Sequence, residues 1–287
     1  MKINRVYNKL ILRFGMLKKH PLTKTSPLKG MLRYLMFNVY QTIFPKPRVY
    51  KWINGLKFYA EKGDAGLVGN IYYGLMDYDD SMFLIDHLKS ENLFVDVGAN
   101  LGHYTLLANG ICKAKVIAFE PIESTIVKLR KNIVLNGLEK NVTILKYGVG
   151  DKNEMLNFTT NRTVMNSVSI KENTNTIKLE VKTLNELLKN ESPTFIKIDV
   201  EGYEYKVLIG ASDILEKPSL KYLMVEFNNS GERYNIKDDD VYRLILTHNF
   251  VPISYNVETK EIAILESYNK EKFNTLFIRK DSLPNNA

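Results

Sequence analysis

The sequence predicts an α/β fold, a doubly wound and mostly parallel sheet with helices on both faces, preceded by a basic helical extension. Three observations predict it. From Leu93 onward, short apolar runs alternate with amphipathic helical stretches, the pattern of a parallel sheet covered on both sides. One stretch, "FVDVGANLGHYTLLA", passes from an apolar strand through a glycine turn directly into a helix. The 287 residues, 45% hydrophobic and 25% charged, have globular composition with ample material for a core.

The elements follow in order. Residues 1–19 place Val6, Leu10, Phe14 and Leu17 at spacings of three and four, which predicts an amphipathic helix. "HPLTKTSPLKG" (20–30) holds two prolines and reads as a loop. "MLRYLMFNVYQTIF" (31–44) has an apolar face and reads as a second helix, ended by the prolines at 45 and 47. Residues 49–66 read as strand–turn–strand around Asn54-Gly55. "NIYYGLMDYDDSMFLIDHLK" leads through an Asp-capped helix into the main body. There, "NLFVDVG", "AKVIAFEP", "VTILKYGVGD", "TFIKIDVEG" and "LKYLMVEFN" predict five strands, separated by helices and by a polar, hairpin-like stretch at 154–182. One of the helices is "YEYKVLIGASDILE", and another closes on Gly137. After the helix "DDDVYRLILTHN", "FVPISYN" and "TLFIRK" read as a terminal antiparallel pair. The organisation is thus a basic extension (1–60), a connecting helix or lid region (61–90) and a catalytic domain (91–287).

Composition excludes several classes. A single cysteine, Cys112, rules out an internal disulfide and a Cys-rich zinc module. No apolar run approaches the roughly 18 residues of a membrane span, and no secretory signal is legible, so a cytoplasmic location is expected. The net charge of +8 is divided unevenly. Residues 1–60 contain thirteen Lys/Arg and no acid, whereas the remainder carries 27 bases against 32 acids. A basic leader on an acidic body fits an anionic partner such as membrane lipid, a phosphorylated carrier or nucleic acid; a solvated arm is the plainer alternative.

The chemistry concentrates at strand ends. Asp96 ends the first strand of the main body, and Gly98 and Gly102 permit a tight turn, with Asn100 able to adopt the left-handed region. The next strand ends in Glu120, 24 residues after Asp96, where an acid can hold a ribose diol. The spacing is not the dinucleotide GxGxxG, and Asp96 would repel a pyrophosphate while suiting a cationic or amino-acid ligand. S-adenosylmethionine is therefore favoured over NAD.

Together "FVDVGANLGHYT", "VIAFEP", "LRKNIVLNG" and "IKIDVEGYE" resemble the FkbM family of S-adenosylmethionine-dependent methyltransferases, over about residues 66 to 280. The resemblance implies a class I methyltransferase fold, a Rossmann-like sheet of seven strands with a reversed terminal hairpin, and mostly O-methylation of sugars or natural products. "GNIYYGL" and "LMVEFN" also resemble members from polysaccharide gene neighbourhoods, which implies a sugar or glycan acceptor, lipid-linked or free. Carried over, Asp96, Gly98, Asn100 and Gly102 would enclose the methionine and ribose parts of the cofactor. Glu120 would bind the ribose, Val149 and Asp151 would approach the adenine, and Tyr104 would close the methionine side.

A hydroxyl acceptor is a poor nucleophile near neutral pH and needs a base or metal to take its proton. Lys197, Asp199 and Glu201 alternate on one face of the fourth strand, beside the expected switch point. Asp199 or Glu201 would serve as base with Lys197 as ionic partner; a structural ion pair is the alternative. Asp199, Glu226 and Asn228 resemble in position the acidic metal ligands of catechol O-methyltransferases, a lesser reading that would bring Mg²⁺. His103 is a base or a helix-start residue, with the latter favoured, while His87 and His248 fall on helices. Asp77, Tyr78, Asp79 and Asp80 form either a lid or an acidic helix start. The rival functions are an NAD-linked oxidoreductase and a non-catalytic cofactor-binding or membrane-docking protein. Nucleic-acid methylation is disfavoured because "IDVEG" lacks the Asn/Asp-Pro-Pro-aromatic turn. The leader either docks peripherally on the inner membrane face or packs Leu32, Leu35, Met36 and Val39 against the body as an acceptor-pocket wall.

Overall fold

The computed structural model of the protein describes residues 2–159, 168 and 176–284. The extension forms α1 (Lys2–Lys19), α2 (Pro27–Ile43) and an antiparallel hairpin of β1 (Arg48–Lys51) and β2 (Lys57–Ala60). Helix α2 begins four residues before the predicted start because Pro27 occupies its first turn, where a missing N–H is not needed. The hairpin turns where Asn-Gly predicts it, with Asn54 and Gly55 both at positive φ (50° and 81°).

Two helices, α3 (Ala65–Tyr73) and α4 (Tyr78–His87), stand where the sequence suggests one. The predicted Asp cap is corrected here. Asp77 occupies the N-cap position of α4, but its backbone is left-handed (φ 50°) and its side chain makes no capping bond. The main body then runs β3 (Leu93–Val97), α5 (His103–Gly110), β4 (Lys115–Phe119), α6 (Glu123–Leu135), β5 (Val142–Leu145), β6 (Gly148–Val149), β7 (Glu154–Thr159) and β8 (Thr176–Lys182). It continues with α7 (Leu184–Leu187), β9 (Phe195–Ile198), α8 (Glu204–Ile209), α9 (Ser212–Leu215), β10 (Tyr222–Glu226), α10 (Asp238–Thr247), β11 (Phe250–Tyr255), β12 (Ile262–Ile264) and β13 (Asn274–Arg279).

The central sheet has the order β12-β11-β13-β10-β9-β3-β4-β5. Strands β5, β4, β3, β9 and β10 are mutually parallel, and β13 lies antiparallel between β10 and β11. This is the expected class I methyltransferase arrangement with its reversed terminal pair. The eighth strand, β12, is a three-residue edge addition paired only with β11. The chain leaves β3 toward β4 and β5 and returns on the other side at β9, so the switch point lies between β3 and β9.

Other departures have local causes. The predicted third strand divides into β5, in the main sheet, and β6, which joins β8 and β7 in a separate three-stranded sheet. The two ends of the hairpin-like stretch at 154–182 form that β7–β8 pair; residues 160–167 and 169–175 lie outside the described residues. The helix expected at 203–216 breaks into α8 and α9 around Gly210, whose added Cβ would lie 2.0 Å from the Gly150 carbonyl oxygen.

Apolar clusters fill both sides of the sheet. Leu56, Phe58 and Ala60 of the hairpin segment join Phe94, Leu106 and Phe195 in one of them. Asn132 and Asn136 of α6 accept the backbone N–H groups of Tyr59 and Lys57. The hairpin is therefore tied to the body by packing and by hydrogen bonds. Helix α2 corrects the packing expectation. Leu32, Leu35, Met36 and Val39 are exposed, while the face bearing Gly30, Tyr34, Phe37 and Gln41 is buried. Tyr34 joins Leu17 of α1 and Tyr72 and Tyr73 of α3 in a small cluster. Among the described residues no helix is long and apolar enough to cross a membrane.

Candidate active site

Strands β3 and β9 end side by side, with Asp96 opposite Lys197 and Val97 opposite Ile198. Beyond them the turns at 98–102 and 199–202 interlock. Gly98 stands at φ 82°, and an added Cβ would lie 1.9 Å from the Asp199 carbonyl oxygen, so two constraints require glycine there. Glu201 (φ 56°) and Gly202 (φ 98°) reverse the second turn. Glu204, which sequence reasoning missed, holds that turn by accepting the N–H groups of Val200 (2.9 Å) and Gly202 (3.1 Å). Burial pushes its carboxyl up to about 7. The available signal was its place in the first turn of the helix after a glycine turn.

Glu120, at the end of β4, links the two neighbouring segments. Its carboxyl accepts the Asn100 N–H at 3.1 Å and the Ile122 N–H at 3.0 Å. It is buried, and desolvation pushes it up to about 7 despite those bonds. Asn100 adopts the anticipated left-handed conformation at φ 50°.

A cleft of about 640 Å³ opens over these strand ends. Of the residues singled out in the sequence, Asp77, Gly98, Asn100, Glu120, Val149, Asp199, Glu201 and Glu226 line it. The other site candidates are not part of the lining. Asp96 is buried beneath the turn and accepts the Thr105 hydroxyl at 2.6 Å. Gly102 starts α5 at φ 96°. Lys197 pairs with Asp199 at 2.8 Å and lies 5.2 Å from the Tyr104 ring centroid. Asp151 pairs with Lys206 at 2.7 Å, and the Asn228 side-chain oxygen accepts the Ser230 N–H at 2.8 Å.

The electrostatics separate the carboxyls by role. Burial, reinforced by Asp199, Glu204 and Glu201, pushes Glu226 well above the ordinary carboxylate range and so toward its protonated form. Its Oε2 is buried without a hydrogen-bond partner among the described residues. Asp77, turned from the helix end into the cleft, is pushed by desolvation to about 6, and the buried hydroxyl of Tyr104 lies beside it. Burial also works against the charge of Lys197, but Asp199 and Asp96 outweigh it and keep the amine charged. Asp199 thus presents a carboxyl to the cleft on a buried cation, next to Glu226, which in its protonated form can donate a hydrogen bond. Among the described residues no three His, Cys, Asp or Glu side chains are arranged to hold a metal ion.

The remaining sequence candidates have structural partners. His103 is buried at the start of α5 between Asn70 (3.0 Å) and Ser81 (2.9 Å), and desolvation lowers it to about 3. It is a helix-start residue that ties α5 to α3 and α4. His87 donates to the Phe83 carbonyl and stacks on that ring, and His248 pairs with Glu216. Asp79 pairs with Lys272, Asp80 is buried against Asn274, and the Tyr78 ring packs edge-on to His20. Of the acidic run 77–80, only Asp77 lines the cleft.

A family described as the methyltransferase FkbM domain matches residues 96–252, more than half of the chain. The protein belongs to the FkbM methyltransferase family. The FkbM match begins at Asp96 and spans both turns, β9 and β10. Among curated proteins, the hexuronic acid methyltransferase AglP of Haloferax volcanii is 25% identical over 155 residues. That alignment covers 53% of this chain and 62% of the relative, so the chain spans less than two thirds of AglP's length. Among solved structures, methyltransferase FkbM from Methylobacillus flagellatus is 14% identical, covers 94% of this chain and 59% of its own, and superposes with a TM-score of 0.44. TYW2 of P. horikoshii, solved with MeSAdo, is 13% identical over 86% and 83% of the two chains, with a TM-score of 0.43.

The cleft fits the family's cofactor, S-adenosylmethionine. Gly98 lines the cleft, its turn packed directly against the Asp199 carbonyl, and Glu120 places a carboxyl at the end of the second parallel strand, where a ribose diol is held in such folds.

Proposed function

We propose that the protein transfers the methyl group of S-adenosylmethionine to a hydroxyl of a sugar, glycan or glycan precursor, with Asp199 as the base. The observation that carries this reading is Asp199 at the switch point, paired with buried Lys197 and lining the same cleft as Gly98 and Glu120. S-adenosylmethionine supplies an electrophilic sulfonium methyl. The cleft holds the acceptor hydroxyl beside Asp199, and the acceptor oxygen bonds to the methyl carbon as the carbon–sulfur bond breaks. The hydroxyl proton passes to Asp199, which the Lys197 amine holds in position at 2.8 Å. Glu226 in its protonated form donates a hydrogen bond into the site. The sugar acceptor is supported by the name of the AglP relative, and the choice of oxygen by a cleft that offers carboxyls as proton acceptors.

A labelled-methyl transfer assay over free and lipid-linked glycans, with and without Mg²⁺, tests the reading. Label should appear as a methyl ether on a glycan hydroxyl, without dependence on added metal. Label found only on nitrogen, carbon or a nucleic acid would contradict it.

A further inference from the structure

We propose that the acceptor bears an anionic group, a carboxylate or a phosphate, which seats against Arg13, Lys9 and Lys62. The proposal rests on the acceptor site just described and deepens it. The cations and carboxyls of the cleft lining are segregated. Among the described residues, Lys9, Arg13 and Lys62 are its only Lys or Arg residues, and they come from α1 and the turn before α3. The carboxyls Asp77, Glu120, Asp199, Glu201 and Glu226 come from the strand ends and the α3–α4 break. Arg13 stands in a cage of three tyrosines, its guanidinium carbon 5.4 Å from the Tyr34 ring centroid, 5.0 Å from Tyr72 and 5.8 Å from Tyr73. One of its terminal nitrogens donates to the Tyr73 hydroxyl at 2.9 Å. Its Nε is buried with no hydrogen-bond partner among the described residues.

A buried N–H without an acceptor is costly, and among the described residues tyrosines rather than carboxylates act on the Arg13 charge. The guanidinium fork matches carboxylate and phosphate oxygens in pairs, and the two exposed lysines add attraction at the same wall. A neutral acceptor would leave these groups unused. An anionic one can place its charge at the α1 wall and a hydroxyl at Asp199.

Titration calorimetry on the protein, bare and loaded with S-adenosylhomocysteine, tests this with D-glucuronate, D-glucose 1-phosphate and D-glucose. At least one anionic probe should bind roughly tenfold or more tightly than glucose, and the stronger of the two separates carboxylate from phosphate. The preference should fall in Arg13→Gln. It should also fall in the Lys9→Gln/Lys62→Gln double variant, whose exposed positions leave the fold intact. Equal binding of all three probes, no binding by any, or a preference that survives both variants overturns the proposal. Failure of S-adenosylhomocysteine to bind would overturn the methyltransferase-site reading instead, and the bare-protein titrations would still decide the anion site.

A different observation carries a second inference. The outer face of α2, we infer, rests on an anionic lipid surface. Helix α2 is apolar on two sides but packs on one. Leu28, Leu32, Met36, Val39 and Ile43, spaced by three or four residues, form a stripe in which every side chain is more than half exposed. A helix with a second apolar stripe needs a second partner. Charge selects the partner. The thirteen bases and no acids of residues 1–60 include exposed Lys24, Lys29, Arg33 and Lys46 around this helix. A second copy would bring like charges together, whereas lipid phosphates complement them. Since no described helix can cross a bilayer, the contact lies in the plane of the surface.

Sedimentation with phosphatidylglycerol-containing vesicles, against pure phosphatidylcholine, tests this at low and high salt. Binding should require the anionic lipid, weaken with salt and fall by roughly tenfold in Leu32→Ser/Met36→Ser/Val39→Ser. Absence of binding, or binding untouched by the variant, overturns it. A lipid-free dimer in analytical ultracentrifugation that the same variant dissociates would assign the stripe to self-association and also overturn it.

Discussion

Glu120 has two tasks at once: it clamps the Asn100 and Ile122 N–H groups, and it presents a carboxyl to the cleft. Glu120→Ala should therefore weaken S-adenosylhomocysteine binding by about 1–3 kcal/mol, as expected for losing charge-assisted bonds. Unchanged affinity by calorimetry would remove it from the cofactor site. Asp199 is separable from cofactor binding in the account given above. Asp199→Asn should keep cofactor affinity near wild type while turnover drops by about 10²–10⁴-fold, and should lower the melting temperature because buried Lys197 loses an ionic partner. Full activity would exclude Asp199 as the base. The sequence pointed to both residues because an acid at a parallel-strand end faces the crevice. It could not reveal that Asp96, also an acid at a strand end, lies under its turn against Thr105, because only the packing of α5 decides that. Nor could it show Asp77 turned inward, since a run of acids before a helix reads as a cap. The cage around Arg13 joins residues up to 60 positions apart and has no local signature.

Elements with strong local signals were legible. The Asn54-Gly55 hairpin, the five parallel strands and the terminal antiparallel pair follow from turn chemistry and apolar patterning. Elements decided by distant contacts were not. The helix at 203–216 has continuous helical patterning, yet it breaks at Gly210 because the chain passes against Gly150. Gly210 has an ordinary helical φ of −74°, so a substitution there tests the contact rather than the backbone conformation. Gly210→Ala should destabilise the protein by about 1–3 kcal/mol, read as a lower melting temperature. An unchanged melting temperature would mean the two segments are not in tight contact. Helix α2 shows the limit of periodicity in another way. Two apolar stripes satisfy the same spacing, and only the observed cluster of Tyr34 with Leu17, Tyr72 and Tyr73 shows which one is inside.

At the scale of the whole molecule, several carboxyls are buried in the cleft and in the elements around it. Burial raises Asp77 to about 6 and Asp80, Glu120 and Glu204 to about 7, all above their ordinary values near 4. The folded protein thus retains protons that the unfolded chain has released. The contribution of these carboxyls is fullest below the ordinary carboxylate range and falls as pH rises toward 7, with Glu226 extending the decline further, while buried His103 acts in the opposite sense below the ordinary imidazole range. Urea unfolding of the ligand-free protein should give a higher midpoint near pH 5 than near pH 8; the reverse order would show these groups are ionised and paired in the folded state. The measurement that tests the central claim most directly is calorimetric titration of S-adenosylhomocysteine and NAD into the wild-type protein and Glu120→Ala. The cleft predicts one S-adenosylhomocysteine site per chain, weakened in the variant and indifferent to NAD, whereas no binding, or binding displaced by NAD, would contradict it.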